Sequence, residues 1–121
     1  MFEKKILIVD DEPEFIAMLQ MRLEANGYTV ISAPDGQAGL DVAQSATPDL
    51  ILLDVMMPGL DGFETLRKLR RQPATRGIPV VMMTARSESR AIAKAQELGA
   101  TDYLIKPCEA DALLEVIRRH A

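Results

Sequence analysis

Asp49-Leu50-Ile51-Leu52-Leu53-Asp54, followed by Val55-Met56-Met57-Pro58-Gly59, is the stretch that decides the fold of this chain. Four consecutive aliphatic residues cannot share one side of a strand, so Leu50 to Leu53 call for cover on both faces. Strands of that kind lie at the centre of parallel sheets with helices on either side. This one ends in Asp54, and Pro58-Gly59 then turns the chain away. A charge at the end of the most buried strand is costly unless something there uses it. Asp54 is therefore the first candidate for chemistry.

Upstream, Ile6-Leu7-Ile8-Val9 is a short apolar strand that stops at Asp10-Asp11-Glu12-Pro13. Proline among acids marks a helix start, and Ile16, Leu19 and Leu23 follow at helical spacing. Tyr28 to Ser32 reads as a second strand, and Asp35-Gly36 opens a helix that turns Leu40 and Ala43 inward. Downstream, Asp61-Gly62 begins a helix with Phe63, Leu66 and Leu69 on one face. Arg67, Lys68, Arg70 and Arg71 fall largely on the other, read as a solvated face without a partner. Ile78 to Met83 is a fourth strand ending at Thr84, followed by a helix carrying Ile92, Ala95 and Leu98. Asp102 to Ile105 is the fifth strand, ending at Lys106-Pro107, and the last helix turns Ala110, Leu113, Leu114 and Ile117 inward. Alternating strands and helices of this kind predict an α/β fold, a doubly wound parallel (βα)5 sheet with right-handed crossovers.

Composition narrows the function. A chain of 121 residues is one domain, and its 48% hydrophobic and 26% charged residues are ordinary for a globular protein. The net charge of −4 disfavours direct nucleic-acid binding, which wants a basic face. The single Cys108 excludes an internal disulfide and a cysteine metal site. No apolar run approaches the roughly 20 residues of a membrane span. The expected location is cytoplasmic.

In open parallel sheets the site lies beyond the carboxyl ends of the strands. Strand one delivers Asp10 and Asp11 there, strand three Asp54, strand four Thr84 and strand five Lys106. At about 5 Å and an effective dielectric near 20, each close carboxylate pair costs on the order of 3 kcal/mol, so a proton or cation must be shared. All-oxygen ligation without His or Cys suits Mg2+, which in turn binds phosphate oxygens. An Asp can be the nucleophile toward a phosphoryl group, with Lys106 and Thr84 answering its oxygens. Taken singly, each feature has a bland reading: Asp10-Asp11-Glu12 as an acidic helix cap, Thr84 as a strand end, Lys106 as a surface lysine.

Taken together, Asp10-Asp11, Asp54 with Met57-Pro58-Gly59 and Asp61-Gly62, Thr84-Ala85, and Tyr103 with Lys106-Pro107 resemble the receiver domain of two-component response regulators. The resemblance covers essentially Ile6 to Ile117 and implies a flavodoxin-like sheet of strand order 2-1-3-4-5. It further implies that Asp54 accepts a phosphoryl group from a phosphohistidine of a sensor histidine kinase or histidine phosphotransfer protein. Asp11, Asp54 and the Met56 backbone carbonyl would bind Mg2+, with Asp10 acting through a water. Thr84 and Tyr103 would be the switch residues, and the Lys106-Pro107 bond is often cis in this family. Tyr103 also has a plainer reading, as a half-buried strand aromatic.

Phosphorylation is expected to alter the surface around the fourth helix, fifth strand and fifth helix, with Arg90, Lys94 and Tyr103 on it, for docking to a downstream protein. The start of the first helix, near Glu14, Phe15 and Met18, is the expected kinase-recognition surface. Met56 and Arg86 are expected to flank the phosphoryl group and to lengthen its lifetime. Met18, Met21, Met56, Met82 and Met83 otherwise read as core or edge packing, and His120 is given no catalytic part. The chain is expected to be a stand-alone receiver over residues 1–121 with no output domain, as a monomer or a phosphorylation-dependent dimer. The alternative is the receiver piece of a longer regulator or hybrid kinase. Two other classes compete less well. A haloacid-dehalogenase-like phosphatase wants an Asp where Met56 stands, and a flavodoxin-like FMN carrier wants a Ser/Thr/Gly-rich loop where Asp10-Asp11-Glu12-Pro13 stands.

Overall fold

The structure, a computed structural model, describes residues 3–84, 89–106 and 109–121. Its elements alternate as β1 (Lys5–Val9), α1 (Pro13–Ala25), β2 (Thr29–Ala33), α2 (Gly36–Ala46), β3 (Leu50–Asp54), α3 (Gly62–Arg71), β4 (Val80–Thr84), α4 (Ser89–Glu97), β5 (Asp102–Ile105) and α5 (Ala110–His120). The five strands form one parallel sheet in the order β2-β1-β3-β4-β5. This is the α/β architecture and strand order that the sequence implies.

Every residue of β3 is buried, and its side chains divide between two cores by strict alternation. Ile51 and Leu53 join Leu7, Val9, Val80 and Met82 beneath α2, α3 and α4. Leu50 and Leu52 join Ile6, Ile8, Val81 and Met83 beneath α1 and α5. Full burial of one such side chain contributes about 1.5–3 kcal/mol. The four in β3 together outweigh the cost of desolvating one carboxylate, so the strand carries Asp54 into the interior.

The helix starts follow from local polar chemistry. Asp35 Oδ1 accepts the Ala38 N–H at 2.8 Å, and Asp61 Oδ1 accepts the Glu64 N–H at 2.9 Å. Strand boundaries shift slightly from the sequence reading for similar reasons. The Tyr28 N–H bonds back to Leu23 O at the end of α1, so β2 begins at Thr29. Ile78 is held in a turn by its N–H bond to Thr75 O, and Pro79 has no N–H to offer, so β4 begins at Val80.

Two expectations need correction. Met18, Met21 and Met56 are exposed rather than packed, at 49%, 72% and 55%, while Met82 and Met83 are core. A flexible thioether on the outer face of α1 has no core position within reach. Arg70 is no solvated charge. Its Nε donates to Gly99 O at 2.9 Å, and its Nη1 donates to Ile78 O at 2.8 Å and to Arg76 O at 3.2 Å. The guanidinium fork thus ties the end of α3 to the start of β4 and to the turn after α4, and burial holds its pKa below the usual arginine value.

Candidate functional site

The carboxyl ends of β1, β3 and β5 converge on one acidic cluster. Asp10, Asp11, Glu12 and Asp54 each bring a carboxylate oxygen into a group whose members all lie within 4.8 Å of one another. Asp10 and Asp54 are almost fully buried, at 1% and 5% exposure, whereas Asp11 and Glu12 face solvent. Asp10 arrives there because it directly follows the last residue of β1, with its N–H bonded to Ala33 O of β2 at 3.1 Å. Its Oδ1 accepts the Glu12 N–H at 2.9 Å, which turns the chain into α1. Glu12 itself occupies the position before the helix and makes no side-chain cap bond. The plain reading of the acidic run as a helix cap therefore accounts for one oxygen of Asp10 and for neither Asp11 nor the Glu12 carboxylate.

Asp54 is fixed from both sides of its strand end. Its Oδ1 accepts the Met56 N–H at 3.3 Å. Its backbone is pressed against Gly62, whose N–H bonds to Val55 O at 3.0 Å, and a Cβ on residue 62 would run into Asp54 O. The Asp61-Gly62 pair thereby folds the 55–61 loop back under the strand end, with Gly59 at φ +74° making the turn.

Lys106 closes the cluster from β5. Its Nζ lies 2.7 Å from Asp10 Oδ2, 3.4 Å from Glu12 Oε1 and 3.7 Å from Asp54 Oδ2. The first is a short charge-assisted hydrogen bond; the last is an ion pair without one. Burial pushes the Asp54 carboxyl up from 3.8 to about 6, with the Lys106 charge and the Met56 N–H opposing the rise and the Asp10 and Asp11 charges adding to it. Burial alone would lower Lys106, but the hydrogen bond to Asp10 and the charges of Asp54, Asp10 and Glu12 raise it overall. At neutral pH Asp54 is thus an ionised carboxylate, more basic than an ordinary one.

The sequence predicts Asp10, Asp11, Asp54 and Lys106 at one site, and the structure gathers the three carboxylates within 4.8 Å of one another, with Lys106 ion-paired to Asp10 and Asp54. Glu12 is a fifth member, whose sequence position suggests only part of a cap; its signal is its place in the unbroken acidic run. The Thr84 backbone lies at the end of β4 beside Ile105. The Thr84 side chain, Arg86 and Pro107 lie outside the described residues. Tyr103 is half-buried against the core beneath α4. Met56 points away from shelter and lines, with Pro58, Asp61, Phe63, Arg90 and Lys94, a cavity of about 830 Å3 between the 55–61 loop and α4. Lys94 there sits 4.6 Å from the Phe63 ring centroid.

The donor set fits a hard divalent cation. Every donor is oxygen, and among the described residues four carboxylates face a single ammonium and the buried Asp54 has no hydrogen-bonded cation. No helix among the described residues is long and apolar enough to cross a membrane.

Comparison with known proteins agrees with this geometry. The family model described as "Response regulator receiver domain" matches residues 6–118. The chain is 45% identical to the alkaline phosphatase synthesis transcriptional regulatory protein PhoP of Bacillus subtilis, over 98% of this chain and 50% of PhoP. It is 38% identical to Protein PilH of Pseudomonas aeruginosa over 93% of each chain. Among solved structures, the chemotaxis protein CheY4 of Vibrio cholerae superposes with a TM-score of 0.94 at 33% identity, covering 99% of this chain and 100% of CheY4. The chain spans half the length of PhoP and a quarter of the response regulator PleD of Caulobacter vibrioides.

Proposed function

Because the chain belongs to the response regulator receiver domain family, the phosphorylation-activated switch of two-component signalling, we propose that Asp54 is its phosphoacceptor. The observation that carries this reading is the Asp54 carboxylate itself. It is buried at the end of the central strand, pushed up to about 6, and stands 3.7 Å from Lys106 at the rim of an acid cluster. A carboxylate oxygen of Asp54 attacks the phosphorus of a phosphohistidine. The P–N bond breaks, the imidazole leaves with its electron pair and takes a proton from solvent, and an aspartyl phosphate remains. Lys106 is within a short swing of that group and offsets its charge. Asp11, Asp54 and the Met56 carbonyl would hold Mg2+, with Asp10 behind a water. When bound, the ion supplies the positive charge that one lysine cannot supply to this many carboxylates.

Membership of the family implies a histidine-kinase partner and a downstream target. We place the target on the face formed by α4, β5 and α5. There Arg90 is exposed, and Tyr103 lines a groove of about 280 Å3 with Ile92, Gln96 and Ile105. A negative group added at the sheet edge biases which arrangement of that face is populated. The chain's own chemistry, on this reading, is limited to phosphorylating and dephosphorylating Asp54.

Intact mass after incubation with acetyl phosphate tests the proposal. The expected result is a Mg2+-dependent gain of one phosphoryl group in wild type and none in Asp54→Asn. An equal gain in Asp54→Asn would move the acceptor elsewhere, and no gain in wild type would mean a degenerate site on an intact receiver fold.

A further inference from the structure

The Lys106 ammonium is held by more than carboxylates. Its Nζ lies 4.1 Å from the centroid of the Phe15 ring, well inside the roughly 6 Å over which a ring face attracts a cation. Phe15 stands in the first turn of α1, where the Asp10-Asp11-Glu12 loop enters the helix. Its ring is half-buried and packs against the core beneath α1 and α5, so α1 sets its position. The contact therefore joins a fixed aromatic face to a flexible side chain.

Charge alone leaves the lysine poorly directed. A lysine is a point charge on a four-carbon stem, and the three carboxylates within 4 Å pull it most strongly toward Asp10, away from Asp54. An aromatic face attracts an ammonium without accepting its proton and without competing for a divalent cation. It also screens the ammonium from water, in keeping with a Lys106 side chain only 12% exposed. We propose that Phe15 is a positioning residue for Lys106, its ring holding the ammonium at the mouth of the acid cluster so that its charge meets a phosphoryl group on Asp54. This inference rests on the reading of Asp54 as acceptor.

The test is calorimetric titration with beryllofluoride, a phosphoryl mimic, at fixed Mg2+. Wild type, Phe15→Leu and Phe15→Tyr are compared, the first two also with Lys106→Met. With Lys106 present, Phe15→Leu is expected to weaken binding roughly threefold to tenfold, while Phe15→Tyr, which keeps the ring, stays near wild type. With Met at 106, Phe15→Leu is expected to have almost no further effect, because the two residues act as one unit. Equal losses in both backgrounds would assign Phe15 to helix packing alone and overturn the proposal, as would wild-type binding by Phe15→Leu. NMR adds a direct reading of the contact. The Lys106 ε-methylene protons should be shifted upfield by the ring in wild type and return to ordinary values in Phe15→Leu; no upfield shift in wild type overturns the proposal. Failure of wild type to bind beryllofluoride at all sinks the acceptor reading and this inference with it, whereas binding with a flat cycle removes only the role of Phe15.

Discussion

Lys106 donates to Asp10 across 96 residues of chain, at 2.7 Å, and thereby rests one ångström nearer to Asp10 than to Asp54. The resting lysine neutralises the more buried of the two acids, and a phosphoryl group on Asp54 would compete for it. Removal of this ammonium leaves Asp10, at 1% exposure, without its ion-pair partner.

Lys106→Met should accordingly destabilise the domain by about 2–4 kcal/mol at pH 7.5 in the absence of divalent cations. Part of that loss should return with millimolar Mg2+. The Asp54 carboxyl should rise above about 6, because the charge that pulls it down is gone. Urea unfolding with and without Mg2+ checks the first two, and an NMR titration of Asp54 the third. Unchanged stability would mean that Asp10 finds another partner.

Asp54 gives stability a pH dependence whose sign is opposite to that of a salt-bridged acid. Its folded value of about 6 lies above the ordinary 3.8, so between these values the folded state binds the proton more tightly. Its contribution is fully present below about pH 4 and is lost as pH rises through 6, a loss on the order of 3 kcal/mol. Asp54→Asn should therefore be more stable than wild type at pH 7.5 without divalent cations, by up to about 3 kcal/mol, a figure in which the attraction of Asp54 to Lys106 is already counted. The gap should close toward pH 4. A gap that does not change with pH would contradict the desolvation of Asp54.

Met56 bears on the lifetime of the phosphoform. Its side chain stands 55% exposed beside Asp54, where it offers no group to orient a water. Replacement by Asn supplies a polar amide at that place, and phosphate release from Met56→Asn should be several-fold faster than from wild type. Release of phosphate over time, followed after removal of the donor, gives the answer; an unchanged rate would exclude this position as a control on lifetime.

Arg70 should matter for stability and not for chemistry. Its three carbonyl contacts lie at the opposite end of the sheet from Asp54, around Ile78 and Gly99. Arg70→Met is expected to cost about 1–3 kcal/mol in chemical unfolding. Phosphorylation by acetyl phosphate should be unaltered once the protein is folded. A loss of phosphorylation without a loss of stability would reverse that assignment.

Much of this protein is written in short-range pattern. The runs Ile6 to Val9 and Leu50 to Leu53, the breaks at Asp10-Asp11 and Pro58-Gly59, and the helical spacing of Phe63, Leu66 and Leu69 are enough to determine a parallel sheet with helices on both faces. They place Asp10, Asp11, Asp54, Thr84 and Lys106 at one edge, because in such a sheet every strand must end on the same side. Apolar periodicity records which side chains leave water, and burial is the largest favourable term in folding.

Pairing among polar groups distant in sequence is not recorded in that way. Whether Lys106 rests on Asp10 or Asp54, whether Arg70 faces solvent or three carbonyls, and whether Glu12 caps a helix or joins the acid cluster are settled by ångström-scale placement of separate elements. The ring of Phe15 beside Lys106 belongs with these. Periodicity marks Phe15 only as a residue near the start of an amphipathic helix; α1 must pack on the face of the sheet to which the end of β5 turns Leu104 and Lys106 before ring and ammonium can meet. Electrostatic interactions of this kind fall off with distance and depend on local burial, so the tertiary structure alone decided them.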